Sequence, residues 1–425
     1  MQPDSSSPSA PSGFLARLLP VRPGEGLLVA LAGSYFFLLL LGYYLLRPLR
    51  EAFGIARGAD KLPLVWTGTL LVMLLANPLY AALAGRFPRR RFIPATYHVF
   101  AASLGLFGLG YVLAPGHGGA VLGYGFYIWL SVFNLFVVSV FWALMGDVFD
   151  REQGGRLFGL LAIGGTLGAL VGSALTERLA HRLDPAWLFL LAALALEAAV
   201  ACVAGLFRRA PSLRAPAPEK EPGPGALEGL GLVGRTRLLQ LIAVYMLLFT
   251  LTSTFLYVLQ GRVVEGAFAS QAARTSAFAR IDLGVNALTL LTQLFLTHRL
   301  VGRAGIPVML AVLPLVTLGG FGALALWPGF ATLAAVQVLR RGLHYAVDRP
   351  VREMLYIPLG PGMKYKAKSF IDTFVYRAGD LAGIWMTPIL AALAWPLALP
   401  ALGASLLWLG SAVGLGRKVK APFKG

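Results

Sequence analysis

Long apolar runs recur along the whole chain, and each is bounded by Arg, Lys, Pro or Gly. A run of about 20 residues forms a helix long enough to cross the ~30 Å hydrocarbon core of a bilayer. Hydrophobic residues make up 57% of the chain and charged residues only 13%, whereas soluble domains carry about 25% charged residues. The sequence therefore predicts an all-α integral membrane protein with twelve transmembrane helices. These predicted spans, numbered 1 to 12, cover residues 27–46, 62–84, 92–113, 119–145, 157–177, 185–207, 237–260, 279–298, 305–327, 329–346, 370–391 and 393–415.

Positive charge indicates how the spans are oriented. The chain has 37 Lys and Arg against 19 Asp and Glu, a net charge of +18. If the N-terminus is cytoplasmic, most of these basic residues fall in cytoplasmic segments, including the stretch from Arg340 to Lys368. Because cytoplasmic loops of membrane proteins are enriched in Lys and Arg, both termini are predicted to be cytoplasmic. The net positive charge is thus explained by the topology of the chain in the membrane. The expected partner is a lipid bilayer, and no nucleic acid is expected.

A long polar segment divides the spans into two groups of six. Residues 208–236 are rich in Pro, Gly, Glu and Arg, which is typical of a flexible linker. We predict a cytoplasmic tail (1–23), a six-helix half (24–207), a cytoplasmic linker (208–236), a second six-helix half (237–415) and a cytoplasmic tail (416–425). A motif after span 2 recurs after span 8: Arg86, Arg90, Ile93 and Pro94 match Arg299, Arg303, Ile306 and Pro307. Two parallel six-helix repeats resemble the major facilitator architecture.

Charged residues at the end of span 1 are the first candidates for a site. Arg47, Arg50 and Glu51 lie within a helical turn of Tyr43 and Tyr44. One interpretation is an anchor in the headgroup layer, where Tyr and Arg side chains are common. The other is a cavity in which paired guanidinium groups bind a phosphorylated anion, because Arg suits phosphate recognition.

Two further spans carry polar groups. In span 8, near Arg280, residues Asp282, Asn286 and Gln293 share one helical face, which predicts either a lining of the transport path or an interhelical hydrogen-bond seam. Asp282 is a candidate for ion pairing or proton coupling. Glu197 stands alone in span 6, where it is either a proton-coupling carboxylate or a protonated side chain in a packing contact.

The densest charged cluster lies between spans 10 and 11. Charges inside a membrane normally face a cavity or a partner, and the charged positions from Lys368 to Asp380 follow one another at close to helical spacing. We predict that this cluster binds an anion and forms ion pairs that break and remake. The predicted binding residues are Lys366, Lys368 and Arg377, and the predicted ion-pair residues are Asp372, Asp380, Arg349 and Arg352.

Catalytic and metal chemistry find no support in the sequence. The single cysteine, Cys202, lies in an apolar run, and no paired nucleophile and base or spaced metal ligands are visible. The glycine-rich stretch 161–172 follows no strand and has no Walker lysine. Gly164, Gly168 and Gly172, spaced four residues apart, instead predict close helix packing. We expect no enzyme activity, no cofactor and no metal.

Four segments of the chain resemble the nucleotide transporter family, the ATP/ADP translocases of energy-parasitic bacteria and plastids together with related bacterial proteins. The most specific segment has the spacing K-x-K-x-x-I-D, which in this chain begins at Lys366 and ends at Asp372. The chain departs from the family pattern at Asp380, which stands where classical members have a cation. The segments run from Tyr43 to Glu51, from Ser131 to Gly159, from Arg349 to Leu359 and from Lys364 to Asp380.

The resemblance implies a twelve-helix exchanger of ATP, ADP or other nucleotides within the major facilitator superfamily. It also implies nucleotide binding by Arg47 or Arg50 and by Lys366 or Lys368. We therefore predict a monomeric secondary transporter of an anionic, phosphorylated metabolite in a bacterial inner membrane. A proton-coupled transporter of another small molecule and a membrane protein without transport activity are the alternatives.

Overall fold

The computed structural model describes residues 21–113, 119–210, 226–295, 297–357, 359 and 361–420. These residues form helices joined by short turns, and they contain no strand. A 3-10 turn at Ala59–Lys61 and π-helical turns at His344–Asp348 and Ile371–Val375 join some of the helices. The α-helices are α1 Gly26–Gly54, α2 Leu62–Arg86, α3 Arg89–Leu113, α4 Gly119–Val148, α5 Arg151–Leu179, α6 Pro185–Arg209, α7 Ala226–Arg235, α8 Arg237–Ala267, α9 Gln271–Phe295, α10 Thr297–Leu326 (broken at Gly305), α11 Phe330–Leu343, α12 Arg349–Met354, α13 Pro361–Phe370, α14 Tyr376–Ala392 and α15 Ala398–Lys420.

Each predicted span overlaps one of these helices over most of its length, which agrees with the predicted all-α membrane fold. Within the described residues, nine helices are long and apolar enough to cross a membrane. The other three helices on predicted spans are α9, α11 and α14. Helix α9 is more polar than the nine apolar helices, and α11 and α14 have only 14 and 17 residues. Both short helices continue through a π-helical turn into a neighbouring helix, so each belongs to a longer helical segment.

Helices α1 to α6, here called the N-terminal set, share one hydrophobic core. Within it, glycines of α5 meet the backbone of α1. An ideal Cβ at Gly164, Gly168 or Gly172 would lie 3.0, 2.1 or 2.7 Å from a carbonyl oxygen of α1. Only glycine allows such a close approach. The structure thus confirms that these glycines pack helices.

Helices α8 to α15, here called the C-terminal set, contain a similar contact between α8 and α14. An ideal Cβ at Gly379 would lie 1.8 Å from Thr250 Oγ1, and one at Gly383 would lie 2.8 Å from Thr254 Cβ. Glycine therefore permits a close helix contact in each set, between α1 and α5 in the N-terminal set and between α8 and α14 in the C-terminal set. Most of the core residues of this set form two further clusters, one toward each end of α8.

The two sets meet at the end of α1 that carries Gly54. Ile55 and Leu62 share a hydrophobic cluster with Val258 of α8. An ideal Cβ at Gly261 would lie 3.1 Å from Leu62 Cδ1 and 3.2 Å from Ile55 Cγ2. The backbone N–H of Ala59 also donates a 2.8 Å hydrogen bond to Glu265 Oε2. This end of the interface between the sets is therefore closely packed.

A carboxylate ties the beginning of α1 to α5. Glu25 accepts hydrogen bonds from Arg156 Nη1 and Nη2 at 3.0 and 2.8 Å, and from Gln153 Nε2 at 3.1 Å. The hydrogen bonds from Arg156 are the main reason that the pKa of Glu25 falls to about 2. The chain segment that enters α1 is thereby fixed to the N-terminal set.

Candidate functional site

A cavity of about 530 Å³ lies between the two sets, with walls from α1, α2 and α4 on one side and from α8, α11 and α14 on the other. Its lining combines positive charge with aromatic rings. The charged lining residues are Arg47, Arg50, Arg340, Arg341, Arg377, Asp372 and Asp380. The aromatic ones, including a histidine, are Trp66, Tyr127, Phe249, Tyr257, His344, Tyr345 and Tyr376.

Arg47 connects the two sets through a carboxylate. Its Nη1 pairs with Asp282 Oδ1 of α9, and Arg341 Nη1 of α11 lies 2.8 Å from the same oxygen. The Asp282 side chain is 3% exposed. Two guanidinium groups from opposite sides of the interface thus share one buried carboxylate, whose Oδ2 has no hydrogen-bond partner among the described residues.

Arg50 and Glu51 form a second network at the Gly54 end of the cavity. The two side chains pair with each other, and Arg50 Nη1 donates a 3.1 Å hydrogen bond to Ser131 Oγ. Glu51 Oε2 accepts a 2.5 Å hydrogen bond from Tyr257, whose hydroxyl lies 2.6 Å from that of Tyr127. The Arg50 guanidinium lies 4.7 Å from the Tyr127 ring centroid. The network links α1, α4 and α8.

The positions of Arg47 and Arg50 distinguish the two interpretations of span 1. Their side chains are 16% and 12% exposed and line the cavity. An anchor in the headgroup layer would expose its charged group to water and lipid headgroups. These two arginines are therefore cavity residues.

Arg377 and Asp380 place a third ion pair on the cavity wall. Arg377 Nη1 lies 3.4 Å from Asp380 Oδ2, and Thr254 Oγ1 donates a 3.3 Å hydrogen bond to Asp380 Oδ1. Asp372 also lines the cavity but has an exposed side chain. The predicted helical cluster around span 11 thus reaches the cavity through Asp372, Arg377 and Asp380.

Both π-helical turns lie at the cavity, to which one contributes His344 and Tyr345 and the other Asp372. A π-helical turn holds an extra residue and is frequent at functional sites. Behind the first turn, Asp348 is 1% exposed; it contacts His344 Nδ1 at 3.0 Å and Arg352 Nε at 3.2 Å. It also accepts a 2.5 Å hydrogen bond from Tyr245. Arg352 therefore forms its ion pair behind the cavity wall.

Other predicted site residues lie outside the cavity lining. Lys366 pairs with Glu228 of α7, and Lys368 Nζ lies 2.5 Å from Glu353 Oε2. Arg349 is exposed on α12. Glu197 of α6 lies 2.9 Å from Nδ1 of His98 in α3.

The polar face of α9 forms a seam with α5. Asn286 Nδ2 donates a 3.5 Å hydrogen bond to Ser173 Oγ, and Arg280 Nε donates a 3.0 Å hydrogen bond to Glu177 Oε1. Gln293 is exposed. None of the polar residues predicted on this face lines the cavity. Of the two interpretations of span 8, the polar face therefore fits an interhelical hydrogen-bond seam and not a lining of the transport path.

Sequence reasoning missed Arg340 and Arg341 as cavity residues, because it assigned both to a cytoplasmic basic segment. The structure places them in the last turn of α11, on the cavity wall. A signal was present in the sequence: Gln337, Arg340, Arg341 and His344 have the i, i+3, i+4, i+7 spacing of one helical face. All four line the cavity.

Comparisons with known proteins agree with this architecture. The chain matches the family model of the Major Facilitator Superfamily over residues 26–343. A crystal structure of a mutant of the nucleoside transporter NupG is similar with a TM-score of 0.64 and 14% sequence identity, covering 93% of this chain and 100% of that chain. No curated protein sequence matches the chain significantly.

A second similar structure is a bacterial homolog of the human lysosomal transporter Spinster in an inward-facing, unoccupied conformation. Its TM-score is 0.55 at 13% identity, covering 94% of this chain and 93% of that chain. At these identities the two structures show the fold alone. The family model, in contrast, covers well over half of the chain, and its members transport molecules across membranes rather than catalyse reactions. The chain belongs to the Major Facilitator Superfamily.

Proposed function

We propose that the protein is a secondary transporter that exchanges an organic phosphate, with nucleotides as the substrate class. The observation that carries this proposal is the convergence of five arginines, from both sets, on one cavity between them. Arginine recognises phosphate and carboxylate groups through several hydrogen bonds at once. The aromatic side chains of the same cavity suit a heterocyclic base. The lining arginines are Arg47, Arg50, Arg340, Arg341 and Arg377.

We propose that transport proceeds by alternating access between two moving halves, residues 24–207 and 237–415. The interface is closely packed at the Gly54 end of α1, which the charge distribution assigns to the outer side of a bacterial inner membrane. The cavity then opens toward the cytoplasm. The Arg47–Asp282 pair joins the two halves and has to break when the outer end opens. The Tyr257–Glu51 hydrogen bond does the same.

Within this proposal, Arg47, Arg50 and Arg377 hold the anion, and Asp282, Glu51 and Asp380 compensate them between transport steps. Lys366 and Lys368 belong to α13, which leads into the cavity wall, and both have acidic partners in this conformation. Substrate entering from the cytoplasm competes for these two lysines before it reaches the arginines. The exposed side chains of Arg349 and Asp372 add further charges along this route. Arg352 instead holds Asp348 behind the cavity wall.

The test is uptake of labelled ADP and ATP into liposomes that contain the purified protein, with and without internal nucleotide. Uptake that requires internal nucleotide supports exchange. The variants Arg50→Ala and Lys368→Ala are expected to lose transport while remaining folded, and Arg209→Ala, at an exposed helix end, serves as control. Normal transport in both variants would contradict the assigned site. Labelled adenosine tests the neutral substrate class that fold similarity to a nucleoside transporter suggests.

A further inference from the structure

One buried guanidinium in the cavity wall has no carboxylate partner in the part of the chain that the structure describes. Arg340 is 4% exposed, yet no carboxylate among the described residues lies within ion-pair distance of it. Its contacts are neutral: Nε donates to Thr317 Oγ1 at 3.1 Å, and Nη2 donates to Ser253 Oγ at 2.6 Å and to Phe249 O at 3.3 Å. The guanidinium also lies 5.3 Å from the Phe249 ring centroid.

The neighbouring carboxylates are already engaged. Asp348 contacts His344, Arg352 and Tyr245. Asp380 pairs with Arg377. Arg340 therefore keeps an uncompensated charge in a buried position, which costs free energy unless another anion supplies the balance.

A second surplus charge lies beside it. Arg341 and Arg47 share the carboxylate of Asp282, and Arg47 and Arg50 share that of Glu51, so three positive charges face two negative charges. Arg341 Nη2 is buried and has no hydrogen-bond partner among the described residues. Among the described residues, the wall therefore carries two unmatched positive charges, one at Arg340 and one in the group formed by Arg47, Arg50 and Arg341 with Glu51 and Asp282.

We propose that Arg340 and Arg341 complete the anion-binding site assigned above to Arg47, Arg50 and Arg377, and that the two unmatched charges accept a group with two negative charges, such as one phosphate monoester. This inference rests on the proposed function and narrows it, because it favours a nucleoside monophosphate over a neutral nucleoside or a nucleoside triphosphate. Asp372 does not cancel the surplus, since among the described residues it forms no ion pair with Arg340 or Arg341.

A structural role for Arg340 makes a different prediction from a binding role. The three hydroxyls that Arg340 contacts, which include that of Thr252 at 3.4 Å, donate to carbonyls of their own helices. These bonds run from Thr317 to Leu313, from Ser253 to Phe249 and from Thr252 to Leu248. Replacing Arg340 thus removes a buried charge and leaves no hydroxyl donor unsatisfied. We expect ligand-free Arg340→Met to have a Tm at least as high as that of the wild type.

The matched control is Arg50→Met, which removes the nearer arginine partner of the buried Glu51 carboxylate and leaves only Arg47 Nη2, 4.0 Å away. We expect this control to lower the Tm. A clear fall of the Tm in Arg340→Met, comparable with that of the control, would mean that Arg340 supports the fold and would overturn the inference. Arg340→Lys retains the charge and is expected to restore part of the ligand binding.

Binding of adenosine, AMP, ADP and ATP by the purified protein then tests the charge of the ligand. We expect AMP to raise the Tm of the wild type most, and Arg340→Met to bind AMP about tenfold more weakly or worse, as loss of a charge-assisted hydrogen bond predicts. If ATP binds more tightly than AMP and Arg340→Met binds both as the wild type does, the inference fails and nucleotide transport stands. If none of the four compounds binds and Arg340→Met is more stable than the wild type, the proposal of nucleotide transport is wrong. The inference that Arg340 carries an unmatched charge is then supported.

Discussion

At the scale of single residues, Asp282 compensates the charge of the cavity wall. Removing its charge leaves Arg341 buried with no carboxylate in ion-pair distance among the described residues, and leaves Arg47 with Glu51 alone, at 4.0 Å. Breaking a buried ion pair by removing one partner costs about 3–5 kcal/mol. We therefore expect Asp282→Asn to lower the free energy of unfolding by several kcal/mol, measured by thermal or denaturant unfolding in detergent.

The control for that prediction is Asp60→Asn. Asp60 pairs with Lys61 at 2.9 Å, but both side chains are mostly exposed, and exposed ion pairs contribute little to stability. An Asp282→Asn protein as stable as Asp60→Asn would show that the two arginines find other partners.

A second prediction at this scale concerns the glycines of α5. At Gly168 a Cβ would lie 2.1 Å from Phe37 O, whereas at Gly159 of the same helix it would meet nothing within 4 Å. We expect Gly168→Ala to destabilise the protein by about 1–3 kcal/mol, the usual cost of overpacking. Gly159→Ala should be neutral or slightly stabilising because alanine favours helix. Equal melting temperatures of the two variants would contradict this packing.

Residue by residue, the sequence predicted the cavity in part. Arg47, Arg50 and Arg377 were found because a charge inside an apolar run is conspicuous. Arg340 and Arg341 were missed because they begin a segment rich in Lys and Arg. Its positive charge was already attributed to a cytoplasmic location. Lys366 and Lys368 were predicted at the site, but both lie outside the cavity lining in this conformation.

At the scale of helices, the hydropathy pattern predicted which segments are helical but not all of their ends. Helix α9 begins at Gln271, eight residues before its predicted span, because its first turns are polar and packed against other helices. Part of the predicted flexible linker is also helical, as α7. The α7 residue Val233 is buried in a core cluster, and Glu228 pairs with Lys366. Tertiary contacts of this kind have no signature in hydropathy.

The connection between α1 and α5 gives a pH prediction at this scale. Arg156 holds the pKa of Glu25 at about 2, below its ordinary value of 4.5. A carboxyl whose pKa is lowered by folding stabilises the folded state above its unfolded pKa, and this contribution is lost as the pH falls toward the folded pKa. Between pH 4.5 and about 2, the wild type should therefore lose more stability than Glu25→Gln. Unfolding measured across this range checks the prediction, and parallel curves for the two proteins would refute it.

At the scale of the whole molecule, the packed end of the interface should control which side of the membrane the cavity faces. A larger side chain at Gly261 would clash with Ile55 and Leu62, which separates the two sets at this end. We expect Gly261→Leu to shift the protein toward the conformation that is open at the Gly54 end.

Accessibility of a cysteine placed at Gln260, in a Cys202→Ser background, would report this shift, because Gln260 lines the cavity beside the packed end. Gly266→Leu is the control, since a Cβ there would meet nothing within 4 Å. Unchanged labelling in Gly261→Leu would show that this contact does not hold the interface closed.

The two π-helical turns have a consequence for how substrate preference changes. Each turn contains one residue more than an α-helical turn, so its position sets which side chains of that helix face the cavity. Moving or deleting the extra residue would rotate the rest of the lining by about 100°. An insertion or deletion of a single codon in either helix can therefore exchange several lining residues at once, a shorter evolutionary route to a new substrate than replacing the arginines one by one.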